Sequence, residues 1–267
     1  MIDQDIEILF NRMIASETFL MGLRSPEIVA AAKPGQFVMV RVGYGVDPLL
    51  RRPFSICGLK EDDQFFVLYR VVGRGTAILA ERKEGDRLSV LGPLGKGFEL
   101  PKPHQIPLLI AGGIGVAPLF FLAQTMKTRD IEFMMGFGSS NEIIDLNKIE
   151  ALNTNVSIAT DDGTAGHYGP VTDLLEAYLN QHITGKDSLS LFSCGPVPML
   201  KRVVDMALDG GISCQSSLEA FMACGLGSCQ GCAVKAASKE SREYYHVCRD
   251  GPVFPIHSVD WKILKVC

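Results

Sequence analysis

The sequence predicts an antiparallel β-barrel, followed by an α/β domain with a parallel sheet and then by a small cysteine-rich module. Three observations indicate this order: short β-rich runs fill the N-terminal part, strands alternate with helices from about His104, and four cysteines lie between Cys224 and Cys248. With 267 residues, 47% hydrophobic and 21% charged, the chain has room for two packed domains and a small third one. We place these domains at residues 1–101, 102–212 and 213–267.

The N-terminal domain is predicted from short runs that favour strands and are separated by turns. The predicted strands are Gly35–Val42, Phe65–Arg70 and Arg87–Val90. Short strands at this spacing are typical of a small barrel or sandwich. We expect Gly92–Gly97 to be a loop and Pro101–Pro103 to be a linker.

The second domain is predicted from a change of rhythm to strand–helix alternation. The predicted strands are Pro107–Ala111, Ile131–Gly136, Val156–Thr160 and Ser188–Ser193. The predicted helices are Ala117–Lys127, Pro170–Leu179 and Val197–Leu208. Alternation of this kind predicts a parallel sheet covered by helices.

The C-terminal module is predicted from cysteine spacing. Cys224, Cys229, Cys232 and Cys248 follow the pattern C-x4-C-x2-C-x15-C. The first three reproduce the spacing of plant-type ferredoxins, in which four thiolates hold a 2Fe–2S cluster. The glycines between them allow backbone amides to turn toward the sulfurs. A zinc site and a disulfide pair remain as alternatives, and Cys214 and Cys267 are interpreted as incidental thiols.

Composition excludes several classes of protein. A net charge of −4 argues against a nucleic-acid binder. The acidic start, Met1–Glu7, lacks the features of a secretory signal, and eight cysteines without export indicate a reducing cytoplasm. Ile106–Met126 is uncharged, but its prolines and glycines favour a strand, a turn and a helix start over a membrane span.

Two motifs of the N-terminal domain have the chemistry of a phosphate site. In Arg52-Pro53-Phe54-Ser55, an arginine beside a proline of fixed φ can hold a pyrophosphate, and the serine can face a flavin ring nitrogen. In Gly73-Arg74-Gly75-Thr76, the glycines allow backbone amides to approach phosphate as a helix begins at Thr76. Each motif alone is also compatible with an ordinary turn.

Two motifs of the second domain complete a set. Gly112-Gly113-Ile114-Gly115 follows a strand, and Cys194-Gly195-Pro196 follows another. Together with the N-terminal motifs, they resemble the ferredoxin–NADP reductase superfamily. The resemblance implies a flavin site for FAD at Arg52, Pro53, Phe54, Ser55, Tyr69, Arg70, Val71, Gly75 and Thr76. It also implies a nucleotide site at Gly112, Gly113 and Gly115, with Cys194 and Gly195 where nicotinamide meets flavin.

The identity of the dinucleotide is predicted from the turn after the third strand of this domain. Asp161 and Asp162 are adjacent there, and their carboxylates would repel the 2′-phosphate of NADP. If the turn faces the adenosine ribose, NAD is favoured, with Asp161 as the contact. The alternative is a solvated Asp-Asp-Gly turn.

Two C-terminal stretches narrow the resemblance further. Ser217–Cys229 and Cys248–Phe254 resemble the electron-transfer subunits of type B dihydroorotate dehydrogenase, and the similarity covers essentially the whole chain. The resemblance implies FAD, one 2Fe–2S cluster held by Cys224, Cys229, Cys232 and Cys248, and NAD. It further implies an FMN-containing dihydroorotate dehydrogenase catalytic subunit as partner, in an α2β2 heterotetramer that serves pyrimidine synthesis.

The order of electron carriers follows from their chemistry. NADH delivers a hydride and a cluster accepts one electron at a time, so a flavin must lie between them. We expect an apolar surface around Leu226 and Met222 to meet the partner, while Glu219 could face either flavin or solvent. Alternatives are a small subunit of an NADPH-dependent ferredoxin oxidoreductase or sulfide dehydrogenase, a stand-alone NADH oxidoreductase, and a structural zinc protein.

Overall fold

The fold was obtained as a computed structural model, which describes residues 2–43, 45–126, 130–145, 147, 152, 154–182, 188–238 and 242–264. Of the residues discussed above, Met1, Lys127 and Cys267 lie outside these ranges.

The N-terminal domain is a closed antiparallel barrel, as predicted. Its strands are β1 (Ile2–Ala15), β2 (Thr18–Arg24), β3 (Phe37–Arg41), β4 (Arg52–Lys60), β5 (Gln64–Arg70) and β6 (Arg87–Leu94), in the spatial order β1-β2-β5-β4-β3-β6. Two short helices accompany them, α1 (Pro26–Ala31) and α2 (Arg74–Ala80). Closure leaves the barrel without an open edge, and side chains of all six strands fill its interior.

One prediction for this domain is wrong. Gly92, Pro93 and Leu94 belong to β6 rather than to a loop, because Ile2 of β1 pairs with Gly92 and Phe37 of β3 pairs with Leu94. Gly92 is needed there because a Cβ would lie 2.6 Å from a methyl carbon of Val38. Long-range pairing therefore overrides the turn propensity of this stretch.

The second domain contains the predicted parallel sheet. Its strands are β7 (Ile106–Gly112), β8 (Glu132–Phe137), β9 (Asn155–Thr160), β10 (His167–Tyr168), β11 (Leu189–Cys194) and β12 (Ser213–Ser217), with α3 (Val116–Thr125), α4 (Val171–Gln181) and α5 (Val197–Gly210). The sheet order is β10-β9-β8-β7-β11-β12, and β15 (Val253–Pro255) of the C-terminal module follows β12. The chain runs outward from β7 through β8, β9 and β10 on one side, and from β11 to β12 on the other. The strand order therefore reverses between β7 and β11. Doubly wound sheets bind ligands at such a switch point.

The C-terminal module continues into this sheet. It contains β13 (Ala233–Lys235), β14 (Tyr244–His246), α6 (Val247–Asp250) and β15 (Val253–Pro255). Strand β15 pairs antiparallel with β12, so β12 and β15 join the module to the α/β domain. The boundaries after residues 101 and 212 stay predictions.

The barrel and the sheet share one hydrophobic core. Phe66 and Leu68 of β5 belong to the same buried cluster as Phe120 of α3 and Phe137 of β8. The uncharged stretch Ile106–Met126 is divided between β7, a 3-10 turn and α3. Among the described residues, no helix combines the length and apolar character that spanning a bilayer requires.

Candidate functional site

The two phosphate-type motifs of the barrel meet in space. The guanidinium of Arg52 lies against Gly75 in the first turn of α2, so closely that a Cβ at Gly75 would be 3.0 Å from its Nε. Thr76 holds the turn that precedes the helix, since its Oγ1 accepts hydrogen bonds from the amides of Val72 and Gly73 at 3.0 and 3.2 Å. The guanidinium of Arg52 and the glycine-containing first turn of α2 therefore lie side by side, an arrangement that fits a diphosphate group.

A cavity of about 420 Å³ lies beside this place. Of the predicted flavin residues, those that line it are Arg52, Pro53, Phe54, Ser55, Tyr69, Arg70 and Thr76. Val71 does not line the cavity, and Gly75 contributes through its contact with Arg52. The walls are mainly apolar with a few polar groups, which is the usual character of a cofactor site.

Neighbouring side chains of the barrel hold Tyr69 in the wall of this cavity. Its hydroxyl donates to Oδ1 of Asn11 at 2.9 Å, and its ring packs against those of Phe19 and Phe54. Burial raises the pKa of Tyr69 to about 12, with the Asn11 hydrogen bond opposing the rise. Tyr69 is therefore a neutral, immobile part of the wall.

The nucleotide-type motifs also meet, at the switch point of the sheet. A Cβ at Gly115 would lie 2.2 Å from the carbonyl oxygen of Cys194, and one at Gly195 would lie 2.8 Å from the amide nitrogen of Gly112. The turns after β7 and β11 thus touch, and only glycine permits this approach. Gly113, with φ of +52°, has open space above it. These turns leave room for a ligand at the carboxyl edge of the sheet.

Cys194 connects this edge with the flavin-type cavity, which it also lines. Burial raises the pKa of its thiol, the nearby Glu219 carboxylate raises it further, and a hydrogen bond with Ser217 opposes them. The thiol is therefore neutral where the two sites adjoin.

The two adjacent aspartates have different surroundings. Asp162 accepts hydrogen bonds from the amide and hydroxyl of Thr164 at 3.0 and 2.6 Å, and these bonds lower its pKa. The Thr164 hydroxyl in turn accepts from the amide of Ser140 at 2.8 Å, so Asp162 holds the loops after β8 and β9 together. Asp161 is exposed at the end of β9, outside the flavin-type cavity.

The four predicted cysteine ligands form two pairs, and among the described residues no three or more His, Cys, Asp or Glu side chains are grouped as for a single metal ion. The sulfurs of Cys232 and Cys248 are 3.2 Å apart, and the thiols of Cys224 and Cys229 are within hydrogen-bonding reach of each other. None of the described cysteines is in a disulfide. Two pairs of thiolates suit two irons better than one tetrahedral zinc, so the donor set fits a 2Fe–2S cluster.

Backbone amides point at these sulfurs. The amides of Leu226 and Cys229 donate to Sγ of Cys224 at 3.3 and 3.4 Å, and the amide of Gly227 donates to Sγ of Cys248 at 3.1 Å. Burial alone would raise the pKa of Cys224, but the hydrogen bonds around it together lower that pKa to about 6. These amides therefore favour a thiolate at Cys224, whereas burial and the neighbouring Cys232 raise the pKa of Cys248.

Sequence reasoning missed part of the cavity wall. Its lining also includes Ile114, Ala117 and Pro118 from the nucleotide-type turn, and Ser217, Leu218, Ala220, Phe221 and Met222 from the start of the cysteine module. Glu219, left between two roles by the sequence, lines it as well, and burial raises its pKa. The sequence assigned the first group to the nucleotide site and the second to the cluster module; the pairing of β12 beside β11 brings the second group to the flavin cavity.

Known proteins resemble the chain along its whole length. Residues 219–260 match the family model described as the iron-sulfur cluster binding domain of dihydroorotate dehydrogenase B. Proteins named dihydroorotate dehydrogenase B (NAD(+)), electron transfer subunit, are similar to it. The one from Desulforamulus reducens is 38% identical over 97% of this chain and 98% of its own. The one from Caldanaerobacter subterraneus subsp. tengcongensis is 37% identical over 92% and 94%.

Solved structures share the fold. The NADH-dependent reduced ferredoxin-NADP oxidoreductase structure superposes with a TM-score of 0.83 at 30% identity, over 96% of this chain and 90% of that one. A ferredoxin NADP+ reductase from Neisseria gonorrhoeae with bound FAD and NADP superposes with a TM-score of 0.66 at 20% identity, over 78% and 92%. At 20% identity, the similarity to the Neisseria gonorrhoeae structure shows a shared fold alone.

Proposed function

The chain belongs to the family of electron transfer subunits of dihydroorotate dehydrogenase B, and we propose how its residues perform that role. It passes electrons between NAD(H) and a partner FMN-containing catalytic subunit through FAD and a 2Fe–2S cluster, in pyrimidine biosynthesis. The dihydroorotate chemistry belongs to the partner.

A single observation supports the roles that we propose for these residues. One cavity is lined by the barrel motif Arg52–Ser55, by the nucleotide-type turn at Ile114 and by Leu218–Met222 at the start of the cysteine module. A group bound there touches all three modules. Electron transfer from nucleotide to cluster therefore requires no large movement of the protein.

The barrel residues hold the flavin. Arg52 and the first turn of α2 bind the diphosphate, and Phe54 and Tyr69 form an apolar wall that excludes water. A flavin held by these residues would supply the exchange between a two-electron hydride and single electrons. Ser55 presents its hydroxyl to this group, and the neutral thiol of Cys194 fills the contact between flavin and nicotinamide sites.

The remaining site residues hold the nucleotide and the cluster. Gly112, Gly113 and Gly115 form the floor beneath the dinucleotide, and Gly195 allows the neighbouring turn to approach. Asp162 braces the turn through its hydrogen bonds with Thr164. Asp161 is left to face the ribose hydroxyls, where it disfavours a 2′-phosphate. The four paired cysteines ligate the irons.

The setting of this activity is proposed from the sequence. Thiolates that bind iron need a reducing compartment, so the protein works in the cytoplasm. The catalytic partner joins it in an α2β2 heterotetramer, in which dihydroorotate is the electron source and NAD the acceptor. The partner's FMN lies beyond the cluster.

Anaerobic purification of the tagged chain from its native host tests this function. We expect an FMN-containing dihydroorotate dehydrogenase chain to copurify at equal stoichiometry, and the complex to reduce NAD with dihydroorotate. Recovery of a different large flavin or iron–sulfur subunit would overturn it. That outcome would favour the ferredoxin-NADP oxidoreductase function, which the 30% identity with such a structure makes the second candidate.

A further inference from the structure

One side chain of the α/β domain is bonded to the backbone of the barrel at two points. Gln124, near the end of α3, accepts a hydrogen bond from the amide of Leu59 at 2.8 Å and donates one to the carbonyl of Leu59 at 2.6 Å. Leu59 lies on β4. The carboxamide thus contacts both polar groups of one residue, as a neighbouring strand would do.

The structure shows why β4 accepts such a partner. Strand β3 pairs with β4 only as far as Ser55, and Gln36 then bonds the amide of Ile56. A bulge in the pairing with β5 follows, between Ile56 and Gly58. Backbone groups beyond it require other partners, because a buried amide or carbonyl without one is costly. Gln124 supplies them.

The contact is tightly packed. A Cβ at Gly58 would lie 3.2 Å from Oε1 of Gln124 and 3.5 Å from the ring of Phe120. Helix α3 is buried from Val116 to Ala123, so it can shift little relative to the sheet. The carboxamide therefore fixes the distance between α3 and β4.

Both elements begin at the functional site. Strand β4 starts with Arg52 and carries Ser55, while α3 starts at Val116, directly after the turn that contains Gly115. We propose that Gln124 is a positioning residue that sets the separation between the nicotinamide and flavin sites. The inference rests on the proposed function, since it concerns hydride transfer between those two sites.

Hydride transfer is sensitive to this separation. Reacting atoms must come within about 3–3.5 Å, and a displacement of about 1 Å can lower the rate about a hundredfold. The substitution Gln124→Met keeps the length of the side chain and removes both hydrogen bonds. We expect the limiting rate of flavin reduction by NADH in the complex to fall about tenfold or more, with FAD content and the apparent NADH dissociation constant unchanged.

An equilibrium signal separates positioning from general damage. The long-wavelength charge-transfer absorbance of flavin with bound nucleotide depends on their contact, so it should weaken in Gln124→Met. Thr125→Val is the matched control, because within the described ranges the Thr125 hydroxyl donates to carbonyls of its own helix alone, those of Phe121 and Leu122. It should leave the rate and the absorbance as they are in the wild type.

Gly58→Ala gives an independent perturbation, because the added methyl group presses on the carboxamide and leaves its hydrogen-bonding groups in place. It should also lower the limiting rate of flavin reduction, by a smaller factor than Gln124→Met. This variant tests the inference even if Gln124→Met does not fold. The inference would be overturned if Gln124→Met and Gly58→Ala kept the wild-type rate and absorbance. It would also be overturned if Thr125→Val lowered the rate and absorbance as much as Gln124→Met does. Absence of flavin reduction by NADH in the wild type would instead overturn the proposed function.

Discussion

Arg51 and Arg52 are adjacent in the chain, but their guanidinium groups do different things. Arg51 donates to the backbone carbonyls of Met39 and Ser89 at 3.2 and 3.0 Å, so it ties neighbouring strands of the barrel together. Arg52 turns to the other side, lies against Gly75 and lines the cavity. Arg51 directly precedes β4 and Arg52 is its first residue, so two adjacent arginines are separated into a structural one and one that faces a ligand.

Substitution of the two arginines should therefore have different effects. Arg52→Leu should weaken FAD binding about 10- to 100-fold, because a hydrogen bond to a charged group contributes about 1.5–3 kcal/mol. Arg51→Leu, the matched control, should lower the melting temperature and leave the FAD affinity of the folded protein nearly unchanged. Fluorescence titration of the apoprotein with FAD measures both affinities, and equal losses would contradict the assignment.

Cysteine substitutions distinguish ligands from incidental thiols. Cys232→Ser should lose the bound iron and the electron paramagnetic resonance signal of the reduced cluster, because the hydroxyl is a poor replacement for a soft thiolate. FAD should be retained, since Cys232 does not line the flavin cavity. Cys214→Ser, a change of a buried thiol on β12, should keep both cofactors. Stoichiometric zinc in the wild type would refute the cluster.

Residues with a recognisable motif could be identified from the sequence, and those that act through distant contacts could not. The cysteine spacing and the Arg52–Ser55 motif are local patterns, so they were sufficient to predict ligands and a cavity wall. Asn11 bonds Tyr69, 58 positions away, and Gln124 bonds Leu59, 65 positions away. Asparagine and glutamine at such positions are indistinguishable from surface residues until the fold is known.

At the scale of elements, the site depends on two turns that touch. The turn after β7 and the turn after β11 are held in contact by glycines, so each limits where the other can lie. Gly115→Ala would place a Cβ 2.2 Å from the carbonyl oxygen of Cys194 and force the turns apart.

We expect Gly115→Ala to raise the apparent dissociation constant for NADH about tenfold, since overpacking costs about 1–3 kcal/mol. FAD content should stay near that of the wild type. Gly43→Ala, where the added methyl group meets open space, is the control and should change neither quantity. Rapid-reaction titration with NADH gives the constant. An unchanged value in Gly115→Ala would show that the nucleotide does not bind over this turn.

The central strands of the sheet were predictable and the first strand of the barrel was not. Strand β7 is apolar and is buried after Ile106, and β11 is buried and interrupts its apolar residues only at Ser190 and Ser193, so composition identifies both strands. Strand β1 begins with alternating acidic residues, Asp3 and Asp5, and its burial is irregular along its length. It is a strand because β2 and β6 pair with it, which is long-range information.

At the scale of the whole molecule, the cluster loop has one face toward the protein and one toward solvent. Cys232 and Cys248 are buried, while Cys229 is exposed. In the same module, the side chain of Phe221 is 78% exposed and that of Leu226, three residues before Cys229, is 42% exposed. Exposed apolar side chains beside a redox group indicate a surface that another subunit covers.

Leu226→Asp therefore tests where the catalytic partner docks. A carboxylate buried in that interface without a counter-charge should weaken the complex at least about tenfold, because an uncompensated buried charge costs about 3–5 kcal/mol. Cluster and FAD should remain bound, since the side chain of Leu226 is 42% exposed and neither ligates the cluster nor lines the flavin cavity. Leu208→Asp introduces the same charge at a residue of α5 that is 47% exposed, and it should leave the affinity unchanged. Analytical ultracentrifugation of the reconstituted subunits gives both constants. If Leu226→Asp binds the partner as the wild type does, electrons must leave the cluster through another face of this chain.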